Sequence, residues 1–90
     1  MKCKLVGFNQ YPIVKDKETG EVGEVLQLHF VRKPNLREAS AQGLVTIMCP
    51  LYDDQIKKLL EKVTLKIEAD YECDINQYKG RNYLNDMTAI

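Results

Sequence analysis

The stretch Val63-Thr64-Leu65-Lys66-Ile67-Glu68-Ala69-Asp70-Tyr71-Glu72-Cys73 alternates apolar and polar residues without a break. A period of two sends successive side chains to opposite faces of a strand. The stretch therefore predicts a strand with one apolar and one polar face, as in an antiparallel sheet solvated on one side. Just before it, Ile56, Leu59, Leu60 and Val63 recur at helical spacing, while Lys57, Lys58, Glu61 and Lys62 face water. This predicts a helix over Asp53–Lys62, with Asp53 or Tyr52 at its cap and Asp53 and Asp54 matched to its positive end. A helix of about ten residues is marginal alone, so it must dock on the sheet. After Cys73, Asp74–Gly80 reads as a turn with Gly80 supplying a positive φ, and Arg81–Ala89 as a final strand.

Three strands precede the helix. Cys3–Val14 reads as a long bent strand; Gly7 suggests a bulge, and Pro12, which has no N–H to donate, suggests an edge. Lys15–Glu21 is a polar turn. In Gly23–Arg32, Leu26, Leu28 and Phe30 share a core face, which turns Gln27 and His29 to the other face. Lys33–Gln42 reads as a loop with one helical turn around Leu36–Ala41. Gly43–Leu51 is a third strand with Val45, Ile47 and Cys49 on one face, ended by Pro50. The expected core is Leu26, Leu28, Phe30, Val45, Ile47, Ile56, Leu59, Leu60, Leu65 and Ile67.

The order is strand, strand, strand, helix, strand, strand, within a single domain spanning residues 1–90. It is the order of a mainly β, five-stranded antiparallel Greek-key barrel of the OB (oligonucleotide-binding) type, with one helix between strands 3 and 4. An open antiparallel sheet with the helix packed on its face remains the alternative.

Composition narrows the chemistry. Basic and acidic residues balance at 13 each, which argues against a non-specific duplex binder held by phosphate neutralisation. Cys3, Cys49 and Cys73 are odd in number, lack CxxC spacing and lie in strand segments, so they read as buried free thiols of a reducing, cytoplasmic compartment. With His29 the only histidine, neither a zinc site nor a Ser-His or Cys-His arrangement is indicated. No phosphate loop and no GxGxxG occurs. Asp53 and Asp54 read as helix-capping residues, and Asp70, Glu72 and Asp74 as a solvated face. No catalytic residue, metal ligand or cofactor is expected, and no run is long and apolar enough for a membrane helix.

Binding has better candidates. Tyr78-Lys79-Gly80-Arg81-Asn82-Tyr83 interleaves two tyrosines with two cations around a turn glycine. Aromatic stacking on bases combined with cations along the backbone is how single strands are gripped. Arg32, Lys33 and Arg37 form a second basic group, and Tyr11 and His29 are further candidates. The plain competing reading is that the tyrosines cover the end of a barrel.

In its size, its long early hairpin and the Tyr78-Lys79-Gly80-Arg81 tip of its late hairpin, the chain resembles the small OB-fold single-stranded DNA-binding proteins of bacteriophages and mobile elements, such as those of filamentous phages. The resemblance implies a cytoplasmic, non-catalytic homodimer that coats single-stranded DNA or RNA during replication. The zero net charge and the acidic Asp70, Glu72 and Asp74 depart from that pattern. A phage or plasmid protein-interaction or assembly module built on a small barrel is the second expectation. Phosphate binding should weaken steeply with salt, and an apolar protein interface should not.

Overall fold

The structure, a computed structural model, describes residues 1–38 and 42–90. Five strands and one helix follow in the expected order: β1 (Lys2–Asp16), β2 (Glu21–Arg32), β3 (Val45–Tyr52), α1 (Asp54–Lys62), β4 (Asp70–Tyr78) and β5 (Arg81–Ala89). A short 3-10 turn covers Leu36–Glu38; the rest of the expected helical turn there lies outside the described residues. All pairings are antiparallel, in one sheet of order β3-β2-β1-β4-β5.

The sheet is not closed. β3 and β5 are its two edges, and among the described residues no ladder joins them. They nonetheless approach: Asn82 Nδ2 lies 3.4 Å from the Met48 carbonyl oxygen. The helix spans the gap, lying between Leu51 of β3 and Leu84–Asp86 of β5, with Lys62 ion-paired to Asp86. Asp53 holds the N-cap position, but its carboxylate does not cap the helix. It accepts the Glu24 N–H at 3.0 Å and pairs with Lys15 Nζ at 2.6 Å, so this aspartate latches the helix start to the β1–β2 hairpin.

The core is the inner face of the sheet. Leu26, Leu28 and Phe30 of β2 pack with Cys3 and Leu5 of β1, Cys49 and Leu51 of β3, Tyr71 and Cys73 of β4 and Met87 of β5, under Ile56 and Val63. Ile47, Leu59 and Leu65 pack around the rim of this cluster, and Val45 is half-buried. Leu60 and Ile67 do not belong to it: they are 47% and 49% exposed.

The Val63–Cys73 expectation needs correction. Only Asp70–Cys73 is strand, and β4 runs on through Tyr78, so the predicted turn shrinks to Lys79–Gly80. The buried Tyr71 supplies the reason. Its hydroxyl donates to the Thr64 carbonyl at 2.7 Å and accepts the Lys66 N–H at 2.9 Å, which folds the chain from 63 to 69 back over the ring. Glu68 takes a positive φ of 72°, and the bend turns Ile67 outward. Val63 and Leu65 still pack inward, so the apolar alternation is real but is spent on a loop.

The bulge at Gly7 is present: the β1–β2 register slips between Leu5 and Gly7. β1 pairs with β4 only over Lys2–Lys4, which leaves its outer edge from Val6 to Val14 without a neighbouring strand among the described residues. Pro12 lies on that stretch. Its partner Glu24 directs both N–H and C=O to Asp53, so the Pro12 nitrogen faces the free edge, where no donor is missed.

Candidate nucleic-acid interface

Because partners across an antiparallel ladder share a face, the register lays out the outer side of the sheet. Across β1, β2 and β3 the outward rows are Lys4–Val31–Thr46, Gly7–His29–Met48, Asn9–Gln27–Pro50 and Tyr11–Val25–Tyr52. Val25 points outward yet is buried, because Tyr11 and Tyr52 stand directly opposite it on either side. Two polar pairs fix the side chains between these rows. Gln27 Nε2 donates to the Tyr11 hydroxyl at 2.9 Å, and His29 Nε2 lies 3.2 Å from Asn9 Oδ1, placing the ring as donor. Tyr11, Met48 and Tyr52 all stay exposed.

The hairpin tip brings the first candidate group together. Tyr78 pairs with Arg81 and Asn76 with Tyr83, so Tyr78, Arg81 and Tyr83 share the face opposite Ile75 and Leu84. Tyr83 is the diagonal neighbour of Tyr78, within reach for two aromatic rings. Lys79 and Gly80 form the two-residue turn, both with positive φ, 51° and 75°. That twist suits a tight hairpin. It also folds Lys79 back, with Nζ 5.4 Å from the centre of the Tyr78 ring. Both rings are exposed, Tyr78 to 62%. The Asn82 side chain, on the Ile75–Leu84 face, reaches the Met48 carbonyl oxygen, which sets this tip beside the backbone edge of β3.

The second candidate group comes apart. Arg32 is bound to Glu38 by two hydrogen bonds, NH1–Oε1 at 2.7 Å and NH2–Oε2 at 3.1 Å, and Glu38 also accepts the Asn35 N–H. The guanidinium, helped by that N–H, holds the Glu38 carboxyl below the usual carboxylate range. Arg32 is thus a structural cation closing the loop after β2. Arg37 is exposed on the 3-10 turn, and only Lys33 remains beside Arg32 on a shared surface.

That surface is a cleft of about 560 Å³ lined by Met1, Lys2, Lys4, Val31, Arg32, Lys33, Asn35, Leu44 and Asp70. Lys2 sits 3.9 Å from Asp70, and the Met1 amine is ion-paired with Glu72. Lys4 and Lys33 have no ion partner among the described residues. The sequence reading missed Lys2 and Lys4. A two-lysine N-terminus carries no signal until the register sets Lys4 opposite Val31.

The acidic stripe is real and runs along the face of β4 that carries Tyr78. Glu72 and Asp74 lie on the outer face of β4, with Asp86 opposite Asp74, and Asp86 is neutralised by Lys62. The three cysteines are free and buried. Burial pushes the thiols up, Cys49 to about 11 and Cys73 to about 12, so none is a ready nucleophile or ligand. Among the described residues no group of three or more His, Cys, Asp or Glu is placed to hold a metal ion, and no helix is long and apolar enough to cross a membrane. No family model matches the chain, and no curated protein or solved structure matches it either.

Proposed function

We propose that this protein binds single-stranded nucleic acid without catalysis, on the outer face of an OB-type barrel whose β3–β5 seam is left open. The observation that carries the reading is the β4–β5 tip: two exposed tyrosines, diagonal on one face, with Lys79 and Arg81 beside them. Exposed rings are the groups on which bases stack, and adjacent cations follow the phosphates. The tip comes beside the edge of β3 at Met48, and the outer face of β1–β3 presents His29, Asn9, Gln27, Tyr11 and Tyr52, a mixed aromatic and hydrogen-bonding surface. Strand order supports the barrel reading. With β1 between β2 and β4, and with β3 and β5 approaching at the helix, one further ladder would complete a five-stranded OB closure. Part of the acidic charge is consumed in ion pairs, Asp53 with Lys15, Asp86 with Lys62 and Glu38 with Arg32, while Glu72 and Asp74, on the face of β4 that carries Tyr78, oppose phosphate contacts there. A role in coating single-stranded DNA during phage or mobile-element replication follows from the resemblance. A fluorescence-anisotropy titration with single-stranded oligonucleotides at two salt concentrations tests the reading. Binding that weakens steeply with salt is expected. Absence of binding at micromolar protein and ~50 mM salt, where phosphate contacts are strong, overturns it.

The second reading, a protein-interaction or assembly module, rests on the free edge of β1. From Val6 to Val14 that edge lacks a strand partner among the described residues, and Val6 and Phe8 are exposed beside it. An added strand from a second copy would pair there and give a homodimer, with Pro12 limiting the ladder. A protein that binds no oligonucleotide but dimerises through this edge favours that reading.

A further inference from the structure

The cleft at the foot of the outer face is built differently from the tyrosine tip. Its apolar lining includes Val31 and Leu44, the latter 57% exposed. Its charges are Lys4, in the row of Val31, and Lys33, two residues beyond Val31, both without an ion partner among the described residues. Asn35 adds a polar side chain, and Asp70 is the one acid in the lining, 3.9 Å from Lys2. A bare anion needs no apolar wall, and an apolar ligand needs no pair of free ammonium groups. A nucleotide presents both a phosphate and a flat apolar ring. The volume, about 560 Å³, lies within the range of small-ligand sites and suits one nucleotide rather than a run of them.

We infer that this cleft is a single-nucleotide pocket, taking a phosphate between Lys4 and Lys33 and a base against Leu44 and Val31. The inference rests on the single-strand reading and deepens it: one nucleotide of the bound strand seats here while others stack at the tip. Arg32 does not bind the phosphate directly, since both its terminal nitrogens are held by Glu38. It acts as a positioning residue that fixes the end of β2, and with it Lys33. The phosphate is either the strand's 5′ end or an internal one, and the two sources are separable by experiment.

The test uses the whole chain, isotope-labelled, with thymidine 5′-monophosphate, inorganic phosphate, and oligothymidylate with and without a 5′-phosphate. Thymidine monophosphate should shift the amide resonances of Lys4, Val31, Lys33 and Leu44 at millimolar concentration, and inorganic phosphate much less. Lys4→Gln with Lys33→Gln should weaken oligonucleotide binding at least threefold, with an unchanged melting midpoint. A 5′-phosphate preference that the double variant abolishes supports a strand-end pocket. Equal binding of both oligonucleotides, weakened equally by the variant, supports an internal one. Oligonucleotide binding that leaves the cleft resonances and the variant's affinity unchanged overturns the pocket and spares the single-strand reading. Equal shifts with inorganic phosphate and thymidine monophosphate overturn it too, leaving only an anion site. Shifts with thymidine monophosphate but no oligonucleotide binding keep the pocket and refute the single-strand reading.

Discussion

Leu28 and His29 are neighbours in β2, and they belong to different parts of the molecule. Leu28 is wholly buried between Phe8 and Cys49 of the flanking strands, while His29 stands on the outer face in the row of Gly7 and Met48. The inner face is uniform, with no buried polar or charged residue among those described. The outer face is divided. Some charges around it are already consumed, as Lys15 is by Asp53 and, off that face, Arg32 by Glu38 and Lys62 of the helix by Asp86. Others, Lys4, Lys33, Lys79 and Arg81, have no ion partner among the described residues. One face therefore determines folding, and the uncommitted part of the other is available for binding. A count of charges along the chain, which comes to zero, conceals that division.

The largest expected effect separates the faces by stability. Leu28→Ala should cost about 2–5 kcal/mol, the lost transfer energy plus the cavity it leaves. Ile67→Ala, in the loop that folds over Tyr71, should cost within about 0.5 kcal/mol of nothing, as for other exposed positions. Chemical denaturation of both variants measures this. Equal losses at the two sites would sink the assignment of Ile67 to the surface and restore the longer β4.

That pair of residues also marks where the sequence was readable. The period of two picked out Leu26, Leu28 and Phe30 because β2 is flanked on both sides and buried on one face along its length. The same period over 63–73 predicts strand, although 63–69 is loop. Alternation records which side chains go inward, and Val63, Leu65 and Tyr71 all do. It does not record the hydrogen bonds of the Tyr71 hydroxyl, which decide the backbone path. The candidate site was legible in the same partial way. Tyr78, Lys79, Arg81 and Tyr83 are contiguous and share one hairpin, so local sequence sufficed. Arg32, Lys33 and Arg37 are also near one another in the chain, but folding regroups them: Glu38, only six residues on, binds Arg32, and Lys2 and Lys4 arrive from a strand about thirty residues earlier. Pairing partners of that kind are invisible without the register.

The next expected effect distinguishes rings from cations at the tip. Tyr78→Ala should weaken oligonucleotide binding by about 1–3 kcal/mol with the salt slope unchanged, because it removes stacking and no charge. Lys79→Ala with Arg81→Ala should flatten the slope of log K against log salt by about 1.4, two contacts at about 0.7 each for single strands. Anisotropy titrations across four salt concentrations read both quantities. A slope that falls in the tyrosine variant, or holds in the double variant, reverses the roles assigned to these side chains.

The smallest effect sharpens the division between consumed and free charges. Both terminal nitrogens of Arg32 are engaged by Glu38, and NH1 also by the Lys33 carbonyl oxygen, so Glu38→Gln should loosen its hold at neutral pH. The glutamine keeps the shape and can still accept one hydrogen bond, but it no longer neutralises the guanidinium. Oligonucleotide affinity should rise a fewfold and the salt slope steepen by up to about 0.7, one additional phosphate contact. Acid offers the same release in the unmodified protein. The Glu38 carboxyl is held below its unfolded value, so the stability it lends is fully present above that value, about 4.3, and is lost as pH falls through the lower folded one. Melting midpoints should therefore be flat with respect to this pair between pH 7 and pH 5, then decline below about 4, and Glu38→Gln should decline less there than the parent. If the variant binds with unchanged affinity and slope, Arg32 is too firmly set in the loop to reach a phosphate even when free. The outer face would then be divided by geometry as well as by charge.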